Sequence, residues 1–123
     1  MEPNEVSGIV VDAAINVHSA LGPGLLESAY EACLAHELTK RGIQVETQKA
    51  LPVVYDGITL DIGYRLDLLV NDLVIVELKS LKEIAEIHRA HLLSYLKLSK
   101  KPVGLLLNFN VVLMKHGIER FVV

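Results

Sequence analysis

Residues 73 to 79 read LVIVELK, and this stretch decides the class of fold. Its first four residues are all apolar, which is typical of a central strand buried on both faces of a sheet. A helical pattern follows from Ser80 to about Leu98, and a second apolar run, Val103 to Phe109, comes after Lys100-Lys101-Pro102. A strand, a helix and a strand in this order predict a right-handed crossover between parallel strands. We therefore predict an α/β fold with helices flanking a mixed central sheet.

The residues before this unit predict two helices followed by strands. Apolar residues from Val6 to Leu21 recur at spacings of three and four, so they form one stripe of a helix that ends at Gly22-Pro23-Gly24. A second helix is predicted from about Leu25 to Arg41, with Gly42 as its C-terminal cap. From Ile43 the period changes to two, which is typical of strands. The remaining predicted strands are Val45 to Lys49, Leu51 to Tyr55, Ile58 to Leu60, Gly63 to Val70, and a closing hairpin of Val111 to Met114 with Ile118 to Val123.

Length and composition limit the class of protein. The chain has 123 residues, of which 51% are hydrophobic and 22% charged, so we expect one globular domain over residues 1–123 and exclude intrinsic disorder. No apolar run approaches the roughly 20 residues that a membrane helix needs, and the first residues lack the pattern of a signal peptide. Because Cys33 is the single cysteine, an internal disulfide is excluded. We expect a protein of the reducing cytoplasm with no membrane partner.

Charge is distributed unevenly along the chain. Residues 1–78 carry four basic and twelve acidic side chains, whereas residues 79–123 carry eight basic and three acidic ones. A net charge of −3 argues against a protein that coats nucleic acid non-specifically. A basic second half could hold a phosphate beside a carboxylate-bound metal, or the charges could simply be solvated on different faces. If the chain binds nucleic acid, the expected basic contacts are Lys82, Arg89, Lys97, Lys100 and Lys101.

Three charged residues interrupt strands that otherwise read as core. Asp67 lies within the strand before LVIVELK, and Glu77 and Lys79 end LVIVELK itself. Glu77 and Lys79 are two residues apart, so they leave the same face of the sheet. They could form an ion pair at a solvent-exposed strand end, or they could bind a metal and a substrate. A two-residue turn at Asn71-Asp72 would put Asp67 and Glu77 on opposite faces, so a shared site requires a three-residue turn or a β-bulge.

A further acidic residue lies at the start of the second helix. Gly24, Glu27 and Tyr30 recur every three residues and therefore lie along one side of its first turns. The helix dipole alone favours Glu27 at this place. Tyr30 is expected in the core.

These residues together resemble the GxxExxY proteins, a branch of the PD-(D/E)XK nuclease superfamily. The resemblance covers about Val6 to Val123 and depends on Gly24-Leu-Leu-Glu27-Ser-Ala-Tyr30, then Asp67, then Glu77-Leu78-Lys79. It implies a restriction-endonuclease-like core and a nuclease that cleaves phosphodiester bonds of nucleic acid, with DNA favoured over RNA.

The resemblance also implies roles for individual residues. Asp67 and Glu77, with the Leu78 carbonyl and Glu27, would hold Mg²⁺ or Mn²⁺. Lys79 would orient or activate the attacking water. His91 stands where relatives carry a glutamine on the following helix, so His91 is a candidate that departs from the pattern, with His88 a weaker one. Hard oxygen ligands suit these two metals.

The sequence excludes several other chemistries and leaves two alternatives open. It contains no Cys/His cluster with zinc spacing, no Gly-x-Ser-x-Gly motif, no Walker loop and no dinucleotide fingerprint. The first alternative is a non-catalytic interaction module that keeps the nuclease fold. The second is a structural homo-oligomer paired through the apolar strand Phe121-Val122-Val123.

Overall fold

The computed structural model describes all residues from Met1 to Val123. Three helices, seven strands and one short 3₁₀ helix follow one another along the chain. They are α1 (Pro3–Leu21), α2 (Glu27–Lys40), β1 (Val45–Ala50), β2 (Val53–Tyr55), β3 (Ile58–Leu60), β4 (Arg65–Val70), β5 (Val74–Lys79), α3 (Glu86–Ser99), β6 (Val103–Asn108), the 3₁₀ helix (Met114–Gly117) and β7 (Ile118–Val122).

Five strands form one mixed sheet in the order β1-β4-β5-β6-β7. β5 and β6 are parallel, with Val74 opposite Val103, and every other neighbouring pair is antiparallel. The crossover from β5 through α3 to β6 is the unit that the apolar pattern predicts. β2 and β3 form a separate hairpin. The predicted α/β class with a mixed central sheet is confirmed.

Helices cover both faces of the sheet. The larger core lies on the side of α1 and α2 and includes Val10, Leu34 and Leu105. The smaller core lies on the side of α3 and includes Ile75 and Leu92. The alternation of side chains along β5 and β6 supplies both cores, which explains why apolar residues predominate in these two strands. None of the helices combines the length and the apolar composition that crossing a membrane requires.

Helix boundaries depart from the predictions at two places. α2 begins at Glu27, because Gly24 has a positive φ of 99° and Leu26 is extended. α3 begins at Glu86 and not at Ser80, and the intervening residues form a loop. The Ala85 N–H donates to Nδ1 of His88 at 2.9 Å, so His88 lies in the first turn of α3 and also caps its start. Gly42 does end α2, with a φ of 79° and its N–H bonded to the Thr39 carbonyl.

The predicted closing hairpin is wrong. Val111 to Met114 is not a strand, and β7 pairs with β6, with Leu107 opposite Ile118. The Val111 carbonyl lies 2.7 Å from Nε2 of the buried His18, which ties this segment to α1. An apolar run of four or five residues predicts burial but does not specify its strand partner.

Candidate active site

The turn between β4 and β5 sets the relative position of Asp67 and Glu77. Val70 is opposite Val74, so the turn contains three residues, Asn71 to Leu73. The two residues Asn71 and Asp72 have positive φ angles of 52° and 56°, a conformation that Asn and Asp tolerate better than most residues. The odd number brings Asp67 opposite Glu77, as the requirement for a shared site predicts.

β4 and β5 separate where the two carboxylates meet. Regular pairing ends at Leu68 and Val76. Beyond it, the Asp67 N–H donates to Oε1 of Glu77 at 3.2 Å, and the Leu78 N–H donates to Oδ2 of Asp67 at 2.9 Å. The carboxylates thus take the place of the backbone carbonyls, and both buried N–H groups keep a partner.

The course of β4 is irregular at the same point. Leu66 and Leu69 both belong to the core under α3, although they are three residues apart. In a regular strand such residues face opposite sides of the sheet. The distortion around Asp67 therefore accompanies the separation of the strands.

Burial and a like charge dominate the electrostatics of Glu77. Its residue is only 8% exposed. Burial, then the charge of Asp67, raises the pKa of Glu77 to about 9, whereas the hydrogen bond from the Asp67 N–H and the charge of Lys79 oppose this rise. Without a cation, Glu77 therefore binds a proton at neutral pH. A divalent cation between the two carboxylates would reverse this preference.

Lys79 ends β5 on the same face of the sheet as Glu77. Its backbone carbonyl accepts a hydrogen bond from the Phe109 N–H at 2.9 Å, which fixes the strand end against the segment after β6. The residue is half-buried and its ammonium belongs to none of the ion pairs of the chain. The charge of Lys79 acts on Glu77, and its ammonium, which forms no ion pair, can contact a further group.

Tyr30 restrains the loop that precedes α2, the helix whose first residue is Glu27. Its hydroxyl donates to the Gly22 carbonyl at 2.6 Å and accepts from the Leu25 N–H at 3.1 Å. The ring is fully buried and stacks on Phe109 with 4.5 Å between centroids. The prediction of Tyr30 as a core residue is confirmed.

Ser80 connects this loop to the end of β5. Its hydroxyl donates to the Leu25 carbonyl at 2.6 Å. Glu27, the first residue of α2, is exposed, and no hydrogen bond joins its side chain to Asp67 or Glu77. The loop before Glu27 is thus bonded to the end of β5 through Ser80, but the Glu27 side chain forms no hydrogen bond with the two carboxylates.

Two residues that the sequence did not single out adjoin the site, because Gln48 contacts Asp67 and Glu31 contacts Gln48. The side-chain amide of Gln48 donates to Oε1 of Glu31 at 2.6 Å and to Oδ1 of Asp67 at 3.3 Å. Burial raises the pKa of Glu31, the hydrogen bond from Gln48 lowers it, and the charges of Asp67 and Glu27 raise it further. Glu31 lies one helical turn after Glu27, a spacing that could have identified it. Nothing in the sequence around Gln48 indicated its role.

The helix α3 approaches the carboxylates through Tyr95. Burial, and next the charge of Glu77, raises the pKa of Tyr95. The Tyr95 hydroxyl therefore interacts electrostatically with the Glu77 carboxylate. The Tyr95 ring also lies 6.0 Å from the ring of Tyr64. His91 is exposed one turn before Tyr95 and therefore on the same side of α3.

The comparison with known families agrees with this geometry. The sequence profile of the PD-(D/E)XK nuclease superfamily matches residues 4–121, nearly the whole chain. The chain belongs to the PD-(D/E)XK nuclease superfamily. No curated protein and no solved structure matches the chain. The mixed sheet flanked by three helices is the restriction-endonuclease-like core that the resemblance implies.

PD-(D/E)XK nucleases generally use divalent metals, and the two strand carboxylates fit such an ion. No group of three or more His, Cys, Asp or Glu side chains is arranged to hold a metal. Mg²⁺ is commonly held by one or two carboxylates and retains several waters. Asp67 and Glu77 supply that number, and their mutual repulsion is the kind that a cation relieves. Glu27 and the Leu78 carbonyl remain predicted further ligands.

The basic residues of this nuclease-fold chain divide into paired and free groups. Arg89 bonds to Glu119 at 2.7 Å and also to Glu86, and Lys101 bonds to Asp72 at 2.9 Å. Lys82, Lys97 and Lys100 are exposed and form no ion pair. Of the five basic contacts expected from the sequence, these three are therefore available to a phosphate without breaking an existing pair.

Proposed function

We propose that this chain is a metal-dependent nuclease that hydrolyses phosphodiester bonds, with the metal held by Asp67 and Glu77. The observation that carries the proposal is the separation of β4 and β5, where two carboxylates bond to each other's strand beside the free cation of Lys79. Membership of the PD-(D/E)XK nuclease superfamily supports nucleic acid as the general class of substrate.

The proposed roles follow from the chemistry of each group. Asp67 and Glu77 supply hard oxygen ligands, with the Leu78 carbonyl and Glu27 as further candidates. The bound ion would neutralise developing charge on the phosphate and lower the pKa of a bound water. Lys79 would orient or activate the attacking water next to the scissile phosphate.

His91 is proposed to donate to the substrate phosphate from α3. Its exposed position one turn before Tyr95 supports this role, because Tyr95 senses the charge of Glu77. An imidazole N–H can donate to a phosphate oxygen as a side-chain amide does.

The proposal also covers the branch of the superfamily, the metal, the substrate and the location. We place the chain in the GxxExxY branch, with Mg²⁺ as its metal and Mn²⁺ as a substitute, DNA as substrate before RNA, and the cytoplasm as its location. Lys82, Lys97 and Lys100 are the proposed phosphate contacts outside the site. Neutralising these three should weaken binding and flatten its dependence on salt.

A cleavage panel tests the activity. Single-stranded, double-stranded and branched DNA and RNA are incubated with Mg²⁺, Mn²⁺ or Ca²⁺, and products are resolved on denaturing gels. Asp67→Asn and Glu77→Gln should abolish cleavage. Asp56→Asn, an exposed acid in the turn between β2 and β3, is the matched control and should cut normally. Activity that survives in both site variants would mean a contaminant or a different site.

A non-catalytic interaction module or a structural homo-oligomer is the second candidate. It is favoured by the apolar residues exposed on and beside the β2–β3 hairpin and on β7, among them Tyr55, which is 75% exposed, and Val122, which is 60% exposed. A module would bind a partner, or a second copy, without metal-dependent turnover. Sedimentation of the purified chain, combined with the cleavage panel, separates the two candidates.

A further inference from the structure

Gln48 is the one side chain that connects Asp67 to helix α2. Its amide nitrogen donates to Oδ1 of Asp67 at 3.3 Å and to Oε1 of Glu31 at 2.6 Å. The other oxygen of Asp67, Oδ2, accepts from the Leu78 N–H at 2.9 Å. Each carboxylate oxygen of Asp67 thus has its own donor, which restrains the rotation of the group.

The backbone of β1 is distorted to place this amide. Gln48 has a φ of 50°, in the left-handed region that residues other than Gly, Asn and Asp seldom adopt. Thr47 pairs with Leu68 and Lys49 pairs with Leu66, but Gln48 and Asp67 between them do not pair. Strained backbone that persists at one position of an otherwise regular strand is typical of a functional constraint.

The surroundings of Gln48 make a purely structural role insufficient. Gln48 is exposed and lies on β1, an edge strand of the sheet, so its side chain contributes no core packing. Its two acceptors are both carboxylates, and one of them is a proposed metal ligand. A side chain that hydrogen-bonds to a metal ligand without contacting the metal commonly orients that ligand.

We propose that Gln48 is a positioning residue that fixes the Asp67 carboxylate in its metal-binding orientation and links it to Glu31 on α2. This inference rests on the proposed function, because it takes Asp67 to be a metal ligand. It adds β1 and α2 to the elements that define the site.

Two substitutions separate the amide from the backbone strain. Gln48→Leu removes the amide and keeps the strain, whereas Gln48→Gly removes both. Asp56→Gly is the matched control, because Asp56 also has a positive φ, of 51°, but lies in the turn between β2 and β3. If Gln48 positions Asp67, both variants should lose metal affinity, because both lack the amide. Only Gln48→Gly should gain stability, because only glycine relieves the strain.

Two measurements read the positioning role. Titration of Mn²⁺ by calorimetry should give a Kd about 10–100-fold weaker in both Gln48 variants than in the wild type. Hydrogen exchange of the metal-free protein should show the Leu78 amide exchanging about 10-fold faster in both variants, relative to other amides of β5. Asp56→Gly should leave the Kd and the exchange rate unchanged, and urea unfolding should find Gln48→Gly more stable than Gln48→Leu.

The two readouts fail independently. A wild type that does not bind Mn²⁺ overturns the proposed function, but the exchange of the Leu78 amide still decides whether Gln48 restrains Asp67. If the wild type binds Mn²⁺ and both variants bind it equally well, the positioning role is wrong. If metal binding weakens only in Gln48→Leu, the cause is the strained backbone of β1 and not the missing amide. This result also overturns the positioning role.

Discussion

The stability of the metal-free protein should fall as the pH rises, and Glu77 is the expected cause. Glu77 has an ordinary pKa of 4.5 and a pKa of about 9 in the folded chain. Between these values the folded state holds one more proton than the unfolded state, so stability is fully present below about pH 4.5 and decreases up to about pH 9. One proton corresponds to a loss of about 1.4 kcal/mol in the free energy of unfolding per pH unit.

Over the range from pH 5 to pH 8 this slope sums to about 4 kcal/mol, a large part of the 5–15 kcal/mol that is typical of a domain. The pKa of Glu31 is raised as well, but its carboxyl is less buried than that of Glu77 and is better screened by solvent. The lowered pKa values of Glu37 and Asp72 act below about pH 4, outside the range.

The assay is urea unfolding in EDTA at pH 5, 6, 7 and 8 for the wild type, Glu77→Gln and Glu83→Gln. Glu77→Gln removes the titrating proton and should flatten the dependence, so that it becomes more stable than the wild type at pH 8. Glu83 is exposed, and its variant should follow the wild type. If the free energy of unfolding depends on pH in the same way for the wild type and Glu77→Gln, Glu77 is not buried beside Asp67 as in the structure.

Three further predictions concern single side chains. Lys79→Ala should bind Mn²⁺ at least as tightly as the wild type, because it removes a positive charge near the cation, but single-turnover cleavage should fall on the order of 10²–10⁴-fold; weakened metal binding would contradict this role. Tyr30→Phe should cost about 1–3 kcal/mol in urea unfolding, because the Gly22 carbonyl and the Leu25 N–H lose their partner, and an unchanged midpoint would count against that restraint. Gly117→Ala should cost about 1–3 kcal/mol or more in thermal unfolding, because its Cβ would lie 2.0 Å from the Asn108 carbonyl oxygen, and normal stability would refute that contact.

The central part of the fold was predictable because its sequence pattern has one physical solution. The run from Leu73 to Val76 is apolar on both faces and a second apolar run, Val103 to Phe109, follows a helical pattern, which predicts two adjacent central strands with a helix between them. A shared site for Asp67 and Glu77 required either a three-residue turn or a β-bulge before β5, and the structure has the three-residue turn.

The parts that could not be predicted depend on contacts between distant residues. The pairing of β7 with β6 is specified by the tertiary contacts of the segment after Asn108, including the bond between His18 and Val111. The start of α3 depends on the hydrogen bond from the Ala85 N–H to the His88 side chain. In the sequence, His88 fits the helical pattern that already begins at Ser80, so nothing marks it as a cap. Gln48 lies 19 residues from Asp67 in sequence, and its role depends on a left-handed backbone that a glutamine does not signal.

Metal-dependent cleavage by matched variants tests the central claim most directly. A fluorescently labelled DNA is incubated in Mg²⁺ with wild type, Asp67→Asn, Glu77→Gln and Asp56→Asn, all purified identically, and product is measured under single-turnover conditions. We expect wild type and Asp56→Asn to cut at the same rate, EDTA to stop both, and the two site variants to release no product. Equal cleavage by all four proteins would contradict the assignment of the site to Asp67 and Glu77, as would no cleavage by any of them on every DNA and RNA of the panel.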